Sequence, residues 1–251
     1  METHLLTQKL KQLRLTPMAQ AIEEGNFSAR MNELSSSALL EELVDMQISV
    51  RDENCRKRLR TQAKLIHRSA HINATALHLI EGITKHQLQE LAGCQWIKNG
   101  YNISFTGAAG TGKSWLACAI ANAAINNKYK VEYWHFHRLL EELCLRKEDG
   151  SIRTFRKAIQ NLDVIIIDDF AICPMSEDVV HEFFEIINNR YNKKSIVFTS
   201  QLGVNAWQSY LGHTAGNEAI LDRIVHRLMK YELRTENSLR VLDQVEGMKN
   251  D

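Results

Sequence analysis

Cysteine, proline and long apolar runs are scarce in this chain. Its 251 residues include five cysteines and two prolines. The cysteines are widely spaced and form no C-x-x-C pair, which excludes a disulfide framework and a zinc knuckle. No apolar run approaches the roughly 20 residues that span a bilayer, and the N-terminus carries charges where a signal peptide is apolar. We therefore expect a soluble cytoplasmic protein with no membrane partner, in which the shortage of proline favours long helices.

An excess of charge of either sign is also absent. The chain has 31 basic and 30 acidic residues, for a net charge of +1, and 44% of its residues are hydrophobic. This composition is typical of a globular protein, and the length suits one large domain or one domain with a small companion. Because the bulk charge predicts no partner, only local clusters of charge can do so.

The first 70 residues have helical patterns only. Apolar residues recur at helical intervals from Leu6 to Leu13 and again from Leu39 to Val50. The stretch that follows, Cys55 to His71, holds six basic residues and no acidic one. Two interpretations stay open for this stretch: a solvated helix face, or a surface whose self-repulsion is relieved by nucleic acid or an acidic protein.

Beyond Thr84, which has the spacing of a capping box with Gln87, short β-branched and aromatic runs alternate with helical patterns. The predicted strands are Asn102–Thr106, Val131–Phe136, Val164–Asp168 and Ile196–Ser200. The predicted helices cover residues 113–126, 138–147, 151–161, 177–192 and 218–230. Such alternation indicates an α/β fold with βαβ units and a parallel sheet covered on both faces.

The strongest motif is the sequence GAAGTGKS, residues 107–114, between the first predicted strand and an Ala-rich helix. It satisfies G-x-x-x-x-G-K-[ST] in the context that phosphate binding requires. The glycines let backbone N–H groups surround phosphate oxygens, Lys113 reaches the β and γ phosphates, and Ser114 can ligate Mg²⁺. The predicted ATP-binding residues are Gly107, Ala109, Gly110, Thr111, Gly112, Lys113, Ser114 and Trp115.

An acidic pair follows the apolar strand at residues 164–167. At the carboxyl end of a parallel strand, Asp168 is placed to hold Mg²⁺ together with Ser114, and Asp169 to polarise the attacking water. For Asp169, a role in capping the following turn is the alternative. The next strand ends in the polar residues Thr199, Ser200 and Gln201, one of which is expected near the γ-phosphate. We assign Ser200 to the catalytic set, with an ordinary solvated strand end as the alternative.

These motifs together resemble the IstB-like branch of AAA+ ATPases. The resemblance rests on GAAGTGKS, VIIIDDF, FTSQ followed by Trp207, and the LDRIVHR helix, and it extends to Leu13-Arg14-Leu15 with Met18-Ala19. That branch contains transposition helper proteins and is close to DnaC-type helicase loaders. The resemblance implies an AAA+ P-loop core with a parallel five-stranded sheet, preceded by a small all-α domain. The implied domains are a helical oligomerisation or partner domain at 1–70 and an ATPase domain at 71–251.

The resemblance also implies roles for single residues. Lys113, Asp168, Asp169 and the 199–201 strand end would act at the nucleotide. Arg223 would be an arginine finger that reaches the site of a neighbouring subunit; a surface residue is the alternative. The chain departs from many AAA+ proteins in having Asp, not Glu, after Asp168. Residues 231–240 are expected to form a last strand and a tail, and no second sensor arginine is assigned.

A second basic cluster lies between the second and third predicted strands. The resemblance implies that these residues track a DNA backbone; the alternative is a solvated helix pair balanced in part by Glu148 and Asp149. The cluster consists of Arg146, Lys147, Arg153, Arg156 and Lys157.

The leading functional hypothesis is an ATPase that uses ATP and Mg²⁺ to form a homo-oligomer on duplex DNA. There it would assist the transposase of the same element. A DnaC-like helicase loader is the alternative in the same superfamily. A P-loop small-molecule kinase and a nucleotide-binding subunit without turnover are less favoured.

Overall fold

The computed structural model describes residues 2–24, 35–73, 79–236 and 239. The chain divides into two compact units, one ending at Arg58 and the other beginning at Leu59. The functional boundary expected at residue 70 stays a prediction. Within the described ranges, no helix combines the length and the apolar character needed to cross a membrane.

The first unit is helical. Pro17 lies in the first turn of α2, where its missing N–H removes no helical hydrogen bond. Met18 and Ile22 on this helix pack against Leu43, and together they bury a small core. Its helices are α1 (Glu2–Gln12), α2 (Thr16–Glu23) and α3 (Ser36–Ala63), the last of which continues into the second unit.

The second unit contains five strands and the remaining described helices. The strands are β1 (Asn102–Thr106), β2 (Val131–His135), β3 (Val164–Asp168), β4 (Ser195–Ser200) and β5 (Leu228–Glu232). The helices are α4 (Lys85–Ala92), α5 (Gln95–Lys98), α6 (Lys113–Asn126), α7 (Phe136–Glu148), α8 (Ile152–Gln160), α9 (Glu177–Arg190), α10 (Trp207–Leu211) and α11 (Ala215–Val225). A 3₁₀ turn spans Val204–Ala206.

The five strands form one parallel sheet in the order β2-β3-β4-β1-β5. The phosphate-loop motif follows β1, and Asp168 ends β3, so both lie at the carboxyl edge where open α/β sheets bind ligands. The predicted α/β class and five-stranded parallel sheet are confirmed.

Side chains on β3 alternate between the two faces of the sheet. Ile165 and Ile167 belong to the large core that α7, α9 and α11 help to bury. Because successive side chains of a strand point to opposite faces, Asp168 lies on the other face, against α6. The fold thereby brings the first turn of α6 to the end of β3.

At two places the structure exchanges helix and strand relative to the prediction. Phe136 begins α7 instead of ending β2. The helix predicted over 218–230 is wrong in its second half, because α11 ends at Val225 and Leu228 begins β5. The helical spacing of apolar residues continues to Leu228. This segment nevertheless pairs with the otherwise free edge of β1 and forms a strand, in which Leu228 is the register partner of Asn102. Tertiary pairing here overrides local periodicity. Of the predicted tail, residues 237, 238 and 240 lie outside the described part of the chain.

Candidate functional site

The phosphate loop has a backbone that only glycine fits at key positions. Gly107, Gly110 and Gly112 have φ angles of +147°, +83° and +82°. A Cβ atom at Gly107 would lie 2.2 Å from the carbonyl oxygen of Leu233. The Thr111 hydroxyl donates to the carbonyl oxygen of Ala108 at 2.9 Å and closes the turn. The motif therefore forms a compact loop ahead of α6 rather than an open coil.

Lys113 is the buried cation of this loop. Its side chain is 6% exposed, and Nζ donates to the carbonyl oxygens of Gly107 at 2.9 Å and Ala108 at 2.7 Å. Lys113 is also the first residue of α6, where unpaired amides and the helix dipole favour anions. The Lys113 ammonium group and the N-terminus of α6 therefore lie together, and both favour an anionic ligand.

The Asp168 carboxylate lies between three strands and α6. It is 2% exposed. Its Oδ1 accepts hydrogen bonds from Ser114 Oγ at 2.7 Å and from Thr199 Oγ1 on β4. Its Oδ2 accepts a 2.5 Å bond from the Tyr133 hydroxyl on β2. A buried carboxylate is costly without donors, and three hydroxyl groups offset that cost here.

Sequence reasoning missed Tyr133 and His135, which β2 brings to this carboxylate. His135 is the register partner of Asp168, and its Nδ1 lies 3.4 Å from Oδ2. A histidine at the carboxyl end of a strand beside β3 was a usable signal, whereas Tyr133 has the sequence character of a core residue. Burial and the Asp168 charge raise the pKa of Tyr133 above its ordinary value, so the phenol is the donor.

The loop after β3 positions Asp169 with a left-handed backbone. Its φ is +53°, which is uncommon for a residue other than glycine, and its N–H donates to Thr199 Oγ1 at 3.0 Å. Thr199 thus bonds both members of the acidic pair. Ser200 does not: its hydroxyl is buried, donates to the carbonyl of Phe170 and accepts from the N–H of Leu202. Among the three polar residues predicted near the γ-phosphate, Thr199 contacts the acidic pair and Gln201, which follows β4, lines the cavity described next.

A cavity of about 320 Å³ joins these parts. The phosphate loop and acidic pair supply its polar wall. Ile66, Ile80 and Leu239 supply apolar surface, and the last two lie beside Gly112. The N–H of Leu239 donates to the carbonyl oxygen of Gly110 at 3.0 Å. The full lining is Ile66, His67, Ile80, Ala109, Gly110, Gly112, Lys113, Ser114, Trp115, His135, Asp168, Asp169, Gln201 and Leu239.

Arg223 does not line the cavity of its own chain. Its Nε donates to Asn188 Oδ1 at 3.0 Å, and one terminal nitrogen donates to the carbonyl of Ala219 at 2.9 Å. The guanidinium lies 4.7 Å from the centre of the Phe184 ring. These contacts hold the side chain on the outer side of α9 and α11.

Three members of the basic cluster lie beside acidic side chains. Arg146 pairs with Glu142 at 2.7 Å, and Lys147 with Asp178 at 3.3 Å. Arg156 lies 3.5 Å from Glu182 and 3.7 Å from Glu185. Arg153 and Lys157, four residues apart on α8, are exposed. Acidic groups therefore balance three of the five predicted DNA-binding residues within the chain.

The arrangement of loop, buried lysine and carboxylate agrees with a family match over nearly the whole chain. The family model described as IstB-like ATP binding protein matches residues 8–246. The chain belongs to this family. The resemblance inferred from the motifs is confirmed.

Two relatives share most of the chain. A Sinorhizobium fredii protein named as an insertion sequence ATP-binding protein is 32% identical over 241 residues, covering 96% of this chain and 98% of the relative. A Pseudomonas fluorescens protein, named as the ATP-binding protein of insertion sequence IS1162, is 35% identical over 202 residues. That match covers 80% of this chain and 87% of the relative.

The crystal structure of the DnaC helicase loader has the same core fold. It superposes with a TM-score of 0.52 at 18% identity, covering 66% of this chain and 97% of that chain. The predicted AAA+ P-loop core, with helices preceding it, is confirmed at the level of the fold.

Proposed function

We propose that this protein is an ATPase that binds ATP with Mg²⁺, assembles on duplex DNA and assists the transposase of its insertion sequence. One observation carries the proposal: the phosphate loop with buried Lys113 and the Ser114–Asp168 pair line one cavity. The names of the curated relatives support ATP binding and the insertion-sequence context.

The cavity has a polar part for the phosphates of a nucleoside triphosphate and an apolar part for its base. The amides of the loop and Lys113 would hold the β and γ phosphates. The apolar surface from Ile66, Ile80 and Leu239, with the Trp115 ring, would cover the base. Lys113 already donates to carbonyl oxygens, so phosphate oxygens would replace partners that are geometrically similar.

Ser114 and Asp168 offer oxygen donors, which are the ligands that Mg²⁺ prefers, so these residues fit that ion. When bound, Mg²⁺ neutralises charge on the β and γ phosphates. Asp169 would orient the attacking water from its position on the cavity wall. Thr199 would hold both acidic residues in place, and Gln201, which lines the cavity, is a better candidate for the γ-phosphate contact than Ser200.

Lys113→Ala tests the phosphate-loop assignment. A buried charge-assisted bond left unmade costs roughly 3 kcal/mol, so binding should weaken by about 100-fold or more. Binding is measured with a fluorescent ATP analogue. Lys98→Ala, which removes an exposed lysine on α5, is the matched control and should bind like the parent. Parental affinity in the Lys113 variant would contradict the assignment.

The DNA contact is assigned to the exposed face of α8. Each phosphate neutralised steepens the dependence of log K on log salt by roughly 0.9 unit. The double variant Arg153→Ala/Lys157→Ala should therefore lower the salt slope of duplex binding by about two units and leave ATP binding unchanged. The control Lys98→Ala/Lys193→Ala removes the same charge elsewhere on the surface.

Arg156 gives a further comparison, because Glu182 and Glu185 already balance it. Arg156→Ala should change the salt slope of duplex binding less than either Arg153→Ala or Lys157→Ala does. An unchanged slope in the double variant would move the DNA site, with the Arg56 to Arg68 stretch as the next candidate.

The choice between a transposase helper and a helicase loader depends on the nucleic acid and the partner. Hydrolysis stimulated by duplex DNA, and co-purification with the transposase of the element, would support the helper function. Stimulation by single strands alone, with capture of a replicative helicase, would support a loader. Stimulation by a nucleoside or sugar would indicate a kinase.

A further inference from the structure

We propose that Tyr133 is a positioning residue that fixes the Asp168 carboxylate in the orientation in which it meets a divalent cation. This inference rests on the proposed ATP and Mg²⁺ site and goes beyond it, because it assigns a function to a core residue of β2.

The two oxygens of Asp168 have different partners. Oδ1 faces Ser114 on α6 and Thr199 on β4, the side of the phosphate loop. Oδ2 faces β2, where it accepts the Tyr133 hydroxyl. Rotation of the carboxylate out of its present plane would break all three bonds. The opposed donors therefore fix the plane of the carboxylate, and with it the direction in which one oxygen is presented toward Ser114.

The sheet geometry makes Tyr133 a rigid donor. His135 is the register partner of Asp168, and Tyr133 lies two residues earlier on β2, so both point to the same face as Asp168. Tyr133 is 5% exposed, and its ring packs edge-on against the His135 ring with centroids 5.2 Å apart. A buried phenol has two side-chain torsions, both restricted by packing, so little entropy is lost when it holds the carboxylate.

His135 is less suited to this function. One third of its side chain is exposed, and its Nδ1 is 3.4 Å from Oδ2, whereas the Tyr133 oxygen is 2.5 Å away. Tyr133→Phe removes the single hydroxyl and keeps the ring. Groups that orient a metal ligand change metal affinity by about 10- to 100-fold when they are removed. We expect a loss in that range for the cation and no comparable loss for the nucleotide alone.

The test measures binding rather than turnover. Mn²⁺ is titrated into the full-length protein with a non-hydrolysable ATP analogue, and free Mn²⁺ is followed by electron paramagnetic resonance. The analogue is also titrated without metal, and thermal unfolding is recorded. Tyr133→Phe should weaken Mn²⁺ binding by at least about 10-fold, while metal-free analogue binding stays within about 2-fold of the parent.

Tyr231→Phe is the matched control. Tyr231 is a buried tyrosine on β5, at the opposite edge of the sheet, and its ring packs against Phe105. It does not line the cavity. Its variant should bind Mn²⁺ like the parent. An equal loss in both variants would show that any buried hydroxyl matters and would overturn the inference.

A double-mutant cycle decides whether Tyr133 acts through Asp168. In an Asp168→Asn background, adding Tyr133→Phe should change Mn²⁺ affinity by less than about 2-fold. A full additional loss there, or parental Mn²⁺ affinity in the single variant, would refute the positioning role while leaving the ATP site intact. If the parent bound no analogue, the proposed function itself would fail.

Discussion

Arg223 offers the sharpest test of assembly, because its contacts within the chain are modest. The guanidinium packs on Phe184 and donates to Asn188 and the Ala219 carbonyl at a half-buried site. An exposed cation–π contact contributes about 0.5–1 kcal/mol. Arg223→Ala should therefore lower the melting temperature by only a few degrees, roughly 2–4 °C for a domain of this size. ATP binding should be unchanged, since Arg223 does not line the cavity.

Hydrolysis should respond far more strongly. Loss of an arginine finger lowers the rate by about 10³-fold or more, which corresponds to about 4 kcal/mol of transition-state stabilisation. Arg227→Ala is the matched control. Arg227 also lies over an aromatic ring, that of Tyr101, and also donates to a backbone carbonyl, that of Asn99. Its variant should lose similar stability and keep its turnover.

Mixing inactive variants tests whether the finger acts on a neighbour. If Arg223 acts in trans, each head-to-tail interface would pair the finger of one subunit with the phosphate loop of the next. In an equal mixture of Arg223→Ala and Lys113→Ala chains that assemble at random, about one quarter of the interfaces carry both intact groups. DNA-stimulated phosphate release should recover to about that fraction of the parental rate. No recovery at any mixing ratio would refute the finger assignment.

Further outcomes follow from the acidic pair and the glycines. Asp168→Asn and Asp169→Asn should each retain metal-free ATP binding and lose most turnover, which comparing analogue binding with phosphate release will show. Gly107→Ala should destabilise the protein far more than Gly150→Ala, as thermal unfolding will measure. Both glycines have positive φ, which costs alanine about 1–2 kcal/mol, but only the Cβ at 107 would meet a backbone oxygen, whereas nothing lies within 4 Å of the Cβ at 150. Equal melting temperatures would contradict the steric argument.

Local sequence determined the parts of this protein that depend on neighbours along the chain. The phosphate loop is one segment, whose glycines, lysine and flanking elements follow one another. The capping box formed as predicted: Thr84 Oγ1 accepts the N–H of Gln87, and Gln87 Oε1 accepts the N–H of Thr84. The all-apolar run at 164–167 indicated a buried strand inside the sheet, and β3 lies between β2 and β4 with all its residues buried. Such features need no knowledge of which strands are neighbours.

Strand pairing across the sheet determined which side chains meet at the acidic pair and which segment forms the last strand. Tyr133 reaches Asp168 only because β2 lies beside β3 in a register that aligns His135 with Asp168. Thr199 rather than Ser200 contacts the acidic pair because alternate residues of β4 face opposite sides of the sheet. A one-residue shift would exchange these roles, and a single sequence holds no local signal that sets the register between distant strands. Leu228 likewise lies in a strand because it pairs with Asn102 on the edge of β1 that β4 leaves free. The sequence thus specified which chemical groups are present, whereas strand order and register determined which of them meet.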